Sequence, residues 1–80
     1  MKIQCDRDVI VLLCAFRYAL GRSTYAVCDI VCEIEDNWND IPVKAKNLIQ
    51  NEIKSAIDEN RAGMECDRIA WQRILQLDIL

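Results

Sequence analysis

The residues able to do chemistry in this chain are five cysteines, a run of carboxylates and one cluster of basic and aromatic side chains. Cys28 and Cys32 sit four apart on one helical face, which is not the Cys-x-x-Cys spacing of a thioredoxin-type redox pair. A zinc site would have to recruit Cys5 and Cys66 as well, and the four lack the paired knuckle spacing that makes zinc motifs specific. Asp29 and Glu33 share a helix face and suit a divalent cation or acid–base work, but a solvated acidic face is the commoner outcome of such spacing. There is no histidine, so the commonest general base is missing and nothing of that kind can activate a Ser or Cys. Gly21 and Gly63 stand far apart, which excludes a phosphate-cradling glycine loop. The expectation is a protein with no catalytic residues, no cofactor and no metal site. Its five cysteines should be unpaired, with Cys14, Cys28 and Cys32 packing as small hydrophobes among apolar helix residues in a reducing compartment.

Two sets of residues remain as binding candidates. Residues 1–28 carry four bases against two acids, for +2; residues 29–40 carry Asp29, Glu33, Glu35, Asp36 and Asp40 with no base, for −5; residues 41–80 balance six against six. The net charge of −3 therefore lies in one short segment, at the C-terminal half of a helix, where each carboxylate opposes the dipole at a cost of roughly a few tenths of a kcal/mol. A basic partner surface would offset that cost, so Asp29, Glu33, Asp36 and Asp40 are the first candidates for partner binding. The second set is Arg17, Tyr18, Arg22 and Tyr25, which combine groups that stack a base and pair a phosphate. A pI near 4.8 argues against a general nucleic-acid footprint, and the competing reading is that Arg17 pairs with a carboxylate while the tyrosines rim the core.

These residues must be positioned by helices. Asp6 is read as the N-cap of a first helix running through Val9 to Leu20, with Asp8 in its first turn and Gly21 ending it. Arg17 is its only charge between Val9 and Leu20, which predicts a helix covered on most sides: the centre of the fold, or half of an oligomer seam. Ser23 or Thr24 caps a second helix with Tyr25, Val27, Cys28, Val31, Cys32, Ile34 and Trp38 on its apolar stripe and Asp29, Glu33 and Asp36 opposite. Pro42 starts a third, with Leu48, Ile49, Ile53, Ala56 and Ile57 inward and Lys44, Lys46 and Gln50 elsewhere, ending near Asn60. Arg61-Ala62-Gly63 reads as a helix end, and Cys66-Asp67 begins a fourth helix with Ala70, Trp71, Ile74 and Leu75 inward. Val9 to Leu13 and Ile30 to Ile34 are β-branched enough to leave some strand open.

The predicted fold is all-α: one domain over residues 1–80, a compact bundle of about four helices around a central hydrophobic helix 1. No apolar run approaches the ~20 residues of a membrane span, and the first residues do not read as a signal peptide, so the expectation is a cytoplasmic protein without membrane contact.

The segment Cys14-Ala15-Phe16-Arg17-Tyr18-Ala19-Leu20-Gly21-Arg22-Ser23-Thr24-Tyr25, with Arg61-Ala62-Gly63-Met64-Glu65-Cys66-Asp67 and Trp71, resembles short, uncharacterised proteins of bacteriophages and prophages. That resemblance carries no functional residue with it. It implies a phage accessory protein acting in the host cytoplasm, and small acidic proteins of this kind look like anti-CRISPR or other anti-defence inhibitors. The expected partner is a host protein or ribonucleoprotein complex with a basic surface; a nucleotide or nucleic-acid sponge and a structural phage subunit are the alternatives. A homodimer is also expected, through helix 1 or through the apolar terminal residues Leu77, Ile79 and Leu80. If the cysteines are unpaired, thiol titration of freshly purified, denatured protein without reductant should find five free thiols, and two fewer would contradict it.

Overall fold

The structure, a computed structural model, describes residues 2–22 and 25–79, with only the backbone of Tyr25 and Ala26. Its elements are α1 (Asp6–Ala19), α2 (Tyr25–Asp36), a 3-10 turn (Trp38–Asp40), α3 (Val43–Asp58) and α4 (Glu65–Leu75). The four-helix bundle is as the sequence predicts, and the β-branched stretches are helical. Asp6 is the first residue of α1 and Cys5 its N-cap; Asp6 and Asp8 in the first turn and Arg17 in the last both complement the helix dipole. The predicted cap at Ser23 or Thr24 lies outside the described residues.

The turns are set by residues that tolerate left-handed backbone. Gly21 has φ +88°, and a Cβ there would stand 2.8 Å from the Arg61 carbonyl oxygen, so the α1–α2 turn lies directly on the α3–α4 loop. Gly63 has φ +82°, and a Cβ there would meet the Asp67 carboxylate at 2.8 Å. That carboxylate, buried in the first turn of α4, accepts the Met64 N–H at 2.9 Å.

The core is made by one stripe from each helix: Val9, Leu12, Phe16 and Ala19; Val27, Val31 and Ile34; Ile49, Ile53 and Ala56; Ala70, Trp71 and Ile74. The fully buried Trp71 meets Phe16 edge to face, with centroids 5.5 Å apart and planes at 82°. α4 lies along both α2 and α3, and α1 closes the bundle against α2 and α3.

That arrangement corrects the placing of helix 1. It is a wall of the bundle, not its centre: Ile10, Val11, Cys14 and Tyr18 face outward and are exposed. The physical reason is that Trp71 occupies the middle, so α1 needs to bury only one stripe.

A second correction concerns α3. Lys46 and Gln50, read as lying away from the apolar face, are buried. They hold the residues after α4: Gln50 Nε2 donates to the carbonyls of Ile74 at 3.0 Å and Leu77 at 2.9 Å, and Lys46 Nζ donates to that of Ile79 at 3.5 Å. Trp38 belongs to the 3-10 turn and not to α2; its Nε1 donates to the Asp78 carbonyl at 2.5 Å, and the Lys46 ammonium stands 5.5 Å from its ring centroid. Leu77 and Ile79 are accordingly half-buried against their own chain and do not present a free seam, while Leu80 lies outside the described residues.

Gln50→Ala removes both donors at once from two backbone carbonyls and should cost about 1–3 kcal/mol in urea unfolding. Amide exchange at Leu77, whose N–H is bonded to the Ile74 carbonyl, should accelerate in the same variant while exchange in α1 stays slow.

Candidate functional site

The acidic face follows from the period of α2. Val27, Val31 and Ile34 bury one side, which turns Asp29 and Asp36, two helical turns apart, to solvent on the other. Asn37, buried at the helix end, donates through Nδ2 to the Glu33 carbonyl at 2.8 Å and to Glu33 Oε2 at 3.4 Å, so Glu33 is half-buried and held. Asp40 extends the face from the 3-10 turn and is exposed. None of Asp29, Asp36 and Asp40 forms an ion pair among the described residues.

Glu35, the fifth carboxylate of the segment, is not part of this surface. It turns toward α4, where Arg73 pairs with it; the two helices thus end side by side. The hydrogen bond from Arg73 to Glu35, and then the charge of Glu35, hold the guanidinium above its ordinary range. The five carboxylates read as uncompensated are therefore one compensated group, one held by Asn37, and three open to a partner.

The fold also adds an acid that sequence spacing separates widely. Asp40 and Asp6 line one shallow cleft of about 240 Å³, together with Ile3, Gln4, Cys5 and Pro42. The acidic surface runs from the middle of α2, across the 3-10 turn, to the first turn of α1. No local signal points to this pairing, because it depends on how α1 begins against the α2–α3 connection.

Of Arg17, Tyr18 and Arg22, the last two come together and Arg17 turns away from them. Arg17 turns to α3, where its Nε and Nη2 donate to Glu52 at 3.2–3.4 Å, on a cleft of about 390 Å³ shared with Leu20, Asn51, Ser55 and Arg61. Tyr18 is on the outward face instead, with the Arg22 guanidinium 4.3 Å above its ring and Arg22 Nε donating to the Tyr18 carbonyl at 2.8 Å. It is 66% exposed and does not rim the core. The Tyr25 side chain lies outside the described residues. Arg61 is the member of the Arg17 cleft that sequence reasoning missed, since it approaches only because the α3–α4 loop lies under Gly21.

All five cysteines are free and exposed, which corrects the expectation that Cys14, Cys28 and Cys32 pack in the core. Cys14 falls midway between the buried Leu12 and Phe16, and so on the opposite side of α1; Cys28 and Cys32 each follow directly on a buried valine of α2. Among the described residues no group of three Cys, Asp or Glu side chains is placed to hold a metal ion, and no helix there is long and apolar enough to cross a membrane. Compared with family models, with curated proteins and with solved structures, the chain finds no match.

The exposure of the cysteines is directly measurable. A thiol reagent added to folded protein should modify all five thiols rapidly, without denaturant, and a set of three slow thiols recovered only on unfolding would place Cys14, Cys28 and Cys32 inside.

Proposed function

We propose that this protein is a non-catalytic, anti-CRISPR-like inhibitor of phage type that binds a bacterial immune complex in the host cytoplasm. The acidic surface of Asp29, Glu33, Asp36 and Asp40 meets a basic surface that otherwise holds nucleic acid. The observation that carries this reading is the row of exposed carboxylates without ion-pair partners among the described residues, Asp29 and Asp36 on the side of α2 away from the core and Asp40 in the 3-10 turn. Carboxylates left without internal partners are free to form charge-assisted hydrogen bonds with arginines and lysines, and in doing so they mimic the phosphates such a surface evolved to bind. Asp6 extends the row. A second copy of the chain is a further partner in this reading, and the outer face of α1 is where it would sit.

A second reading has one observation in its favour. The cleft between α1 and α3 is lined by Arg17 and Arg61 with Asn51 and Ser55, residue types suited to the phosphate of a small nucleotide, although the Arg61 guanidinium is paired with Glu59. Glu52 occupies part of that donor capacity through Arg17, so this site holds less uncompensated charge than the acidic face.

The test uses a purified RNA-guided immune complex and a labelled target nucleic acid. The protein should compete the nucleic acid off, and the inhibition should weaken as salt rises. Asp29→Lys with Asp36→Lys, both at exposed positions, should leave circular dichroism unchanged and reduce inhibition at least about tenfold. Unchanged inhibition by that variant at moderate salt would make the acidic face a matter of solubility. Thermal stabilisation by nucleotides, lost in Arg61→Ala, would favour the cleft.

A further inference from the structure

The outer face of α1 carries an apolar stripe, whereas the other large exposed hydrophobics, Val43, Met64 and Ile69, are scattered over the rest of the surface. Ile10, Cys14 and Tyr18 follow one another at four-residue intervals with Val11 beside them, and the three large side chains are 60%, 66% and 45% exposed for Ile10, Tyr18 and Val11. The one charge between Val9 and Leu20, Arg17, is turned away to Glu52 of α3. A stripe of this kind at helical spacing is built to lie against another helix.

The geometry points to a second copy of α1 as that helix, packed antiparallel about a two-fold axis at Cys14, with Tyr18 of each copy seated in the groove beside Ile10 of the other. Three features of the surface support this occupant. First, the stripe is symmetric about Cys14: Ile10 lies four residues before it and Tyr18 four after, so antiparallel pairing places Ile10 opposite Tyr18 of the second copy and repeats the same contact on the other side of the axis. Self-complementarity of this kind is what a two-fold interface requires. Second, a receptor for the ring is present. Ile10 forms one lip of an open groove of about 480 Å³ between α1 and the start of α3, whose walls include Leu13, Ala45 and Leu48. Third, the groove that would take the ring also offers its guanidinium a carboxylate beside the cation of Lys44. The Arg22 guanidinium rides on the Tyr18 ring, 4.3 Å from its centroid, and a Tyr18 entering the groove carries that guanidinium toward Asp6, which lines the groove too.

The contact is one helix long and one helix wide, below the ~800 Å² per partner of a standard interface, so the dimer belongs to the micromolar range. Asp29 and Asp36 remain open in it, while Asp6 is drawn into the contact.

Sedimentation equilibrium on the full chain across the micromolar range should show a mass rising from 9.3 kDa toward twice that value. Val11→Glu and Tyr18→Glu, at exposed positions and with unchanged circular dichroism, should each stay at the mass of one chain. Asp6→Arg and Arg22→Asp should each weaken association about two- to five-fold, and the two together should restore it. The axis has its own readout. A variant keeping Cys14 alone, with the other four exposed cysteines changed to serine, should form a disulfide-linked dimer under a copper–phenanthroline oxidant. Two thiols then release two protons to solvent and pass two electrons to two copper(II) centres as the S–S bond forms, while a variant keeping Cys66 alone should remain a single chain. The mass of one chain at the highest concentration, a dimer indifferent to Val11→Glu and Tyr18→Glu, or equal cross-linking through Cys66 would each overturn the proposal. A monomer that still inhibits an immune complex through Asp29 and Asp36 would leave the acidic-face reading standing.

Discussion

The structure depends on the burial of Trp71 more than on any other single contact. Its indole sits fully inside, edge to face with Phe16 of α1, on a helix that packs along both α2 and α3. Its Nε1 is buried without a hydrogen-bond partner among the described residues, which costs about 1–3 kcal/mol. Burying the ring removes about 150–250 Å² from water, worth about 4–6 kcal/mol, so the apolar term wins. With so large a group at the centre, each neighbouring helix has only one stripe to bury. The outward faces of α1 and α2 are then released from the core, and both candidate binding surfaces lie there.

Much of this was legible from periodicity. The inward residues of α4 read correctly because Ala70, Trp71 and Ile74 recur at helical spacing with Gln72 and Arg73 between them. α1 read less well. A helix apolar on every side tells that it must be covered, but not whether its own chain or another does the covering, and the cysteines deepen the ambiguity because they count as hydrophobes wherever they stand. Lys46 and Gln50 misled for the opposite reason. Their polarity sends them outward in a helical pattern, whereas the backbone after α4 offers them carbonyl acceptors, and such nonlocal partners have no trace in the spacing of α3.

The acidic surface shows the same division between local and tertiary information. The excess of carboxylates over residues 29–40 is plain in the sequence, and helical phase correctly places Asp29 and Asp36 together. Which members are spent inside the protein is decided elsewhere. Glu35 is claimed by Arg73, a residue of α4, and Glu33 is steadied by Asn37, while Asp6 joins Asp40 only because the bundle closes. Charge counting thus overstates the number of open acids within α2 and misses the one contributed by α1.

The two outward faces of the α1–α2 hairpin differ in what they require of a partner. A row of carboxylates in water is content as it stands, and its attraction for a basic surface is long-ranged, salt-sensitive and tolerant of geometry. An apolar stripe is the reverse: it gains only on close contact, is indifferent to salt and demands a complementary shape. A partner bound through charge alone would leave Ile10, Val11 and Tyr18 in water, and a partner matched to the stripe alone would leave Asp29 and Asp36 unanswered. Because the faces belong to adjacent helices, one surface can be closed by a copy of the chain while Asp29 and Asp36 stay available, and a dimer of that kind would carry two acidic rows. Two linked rows bind with an effective concentration that a single row lacks, which strengthens a contact whose individual ion pairs are each worth little in water.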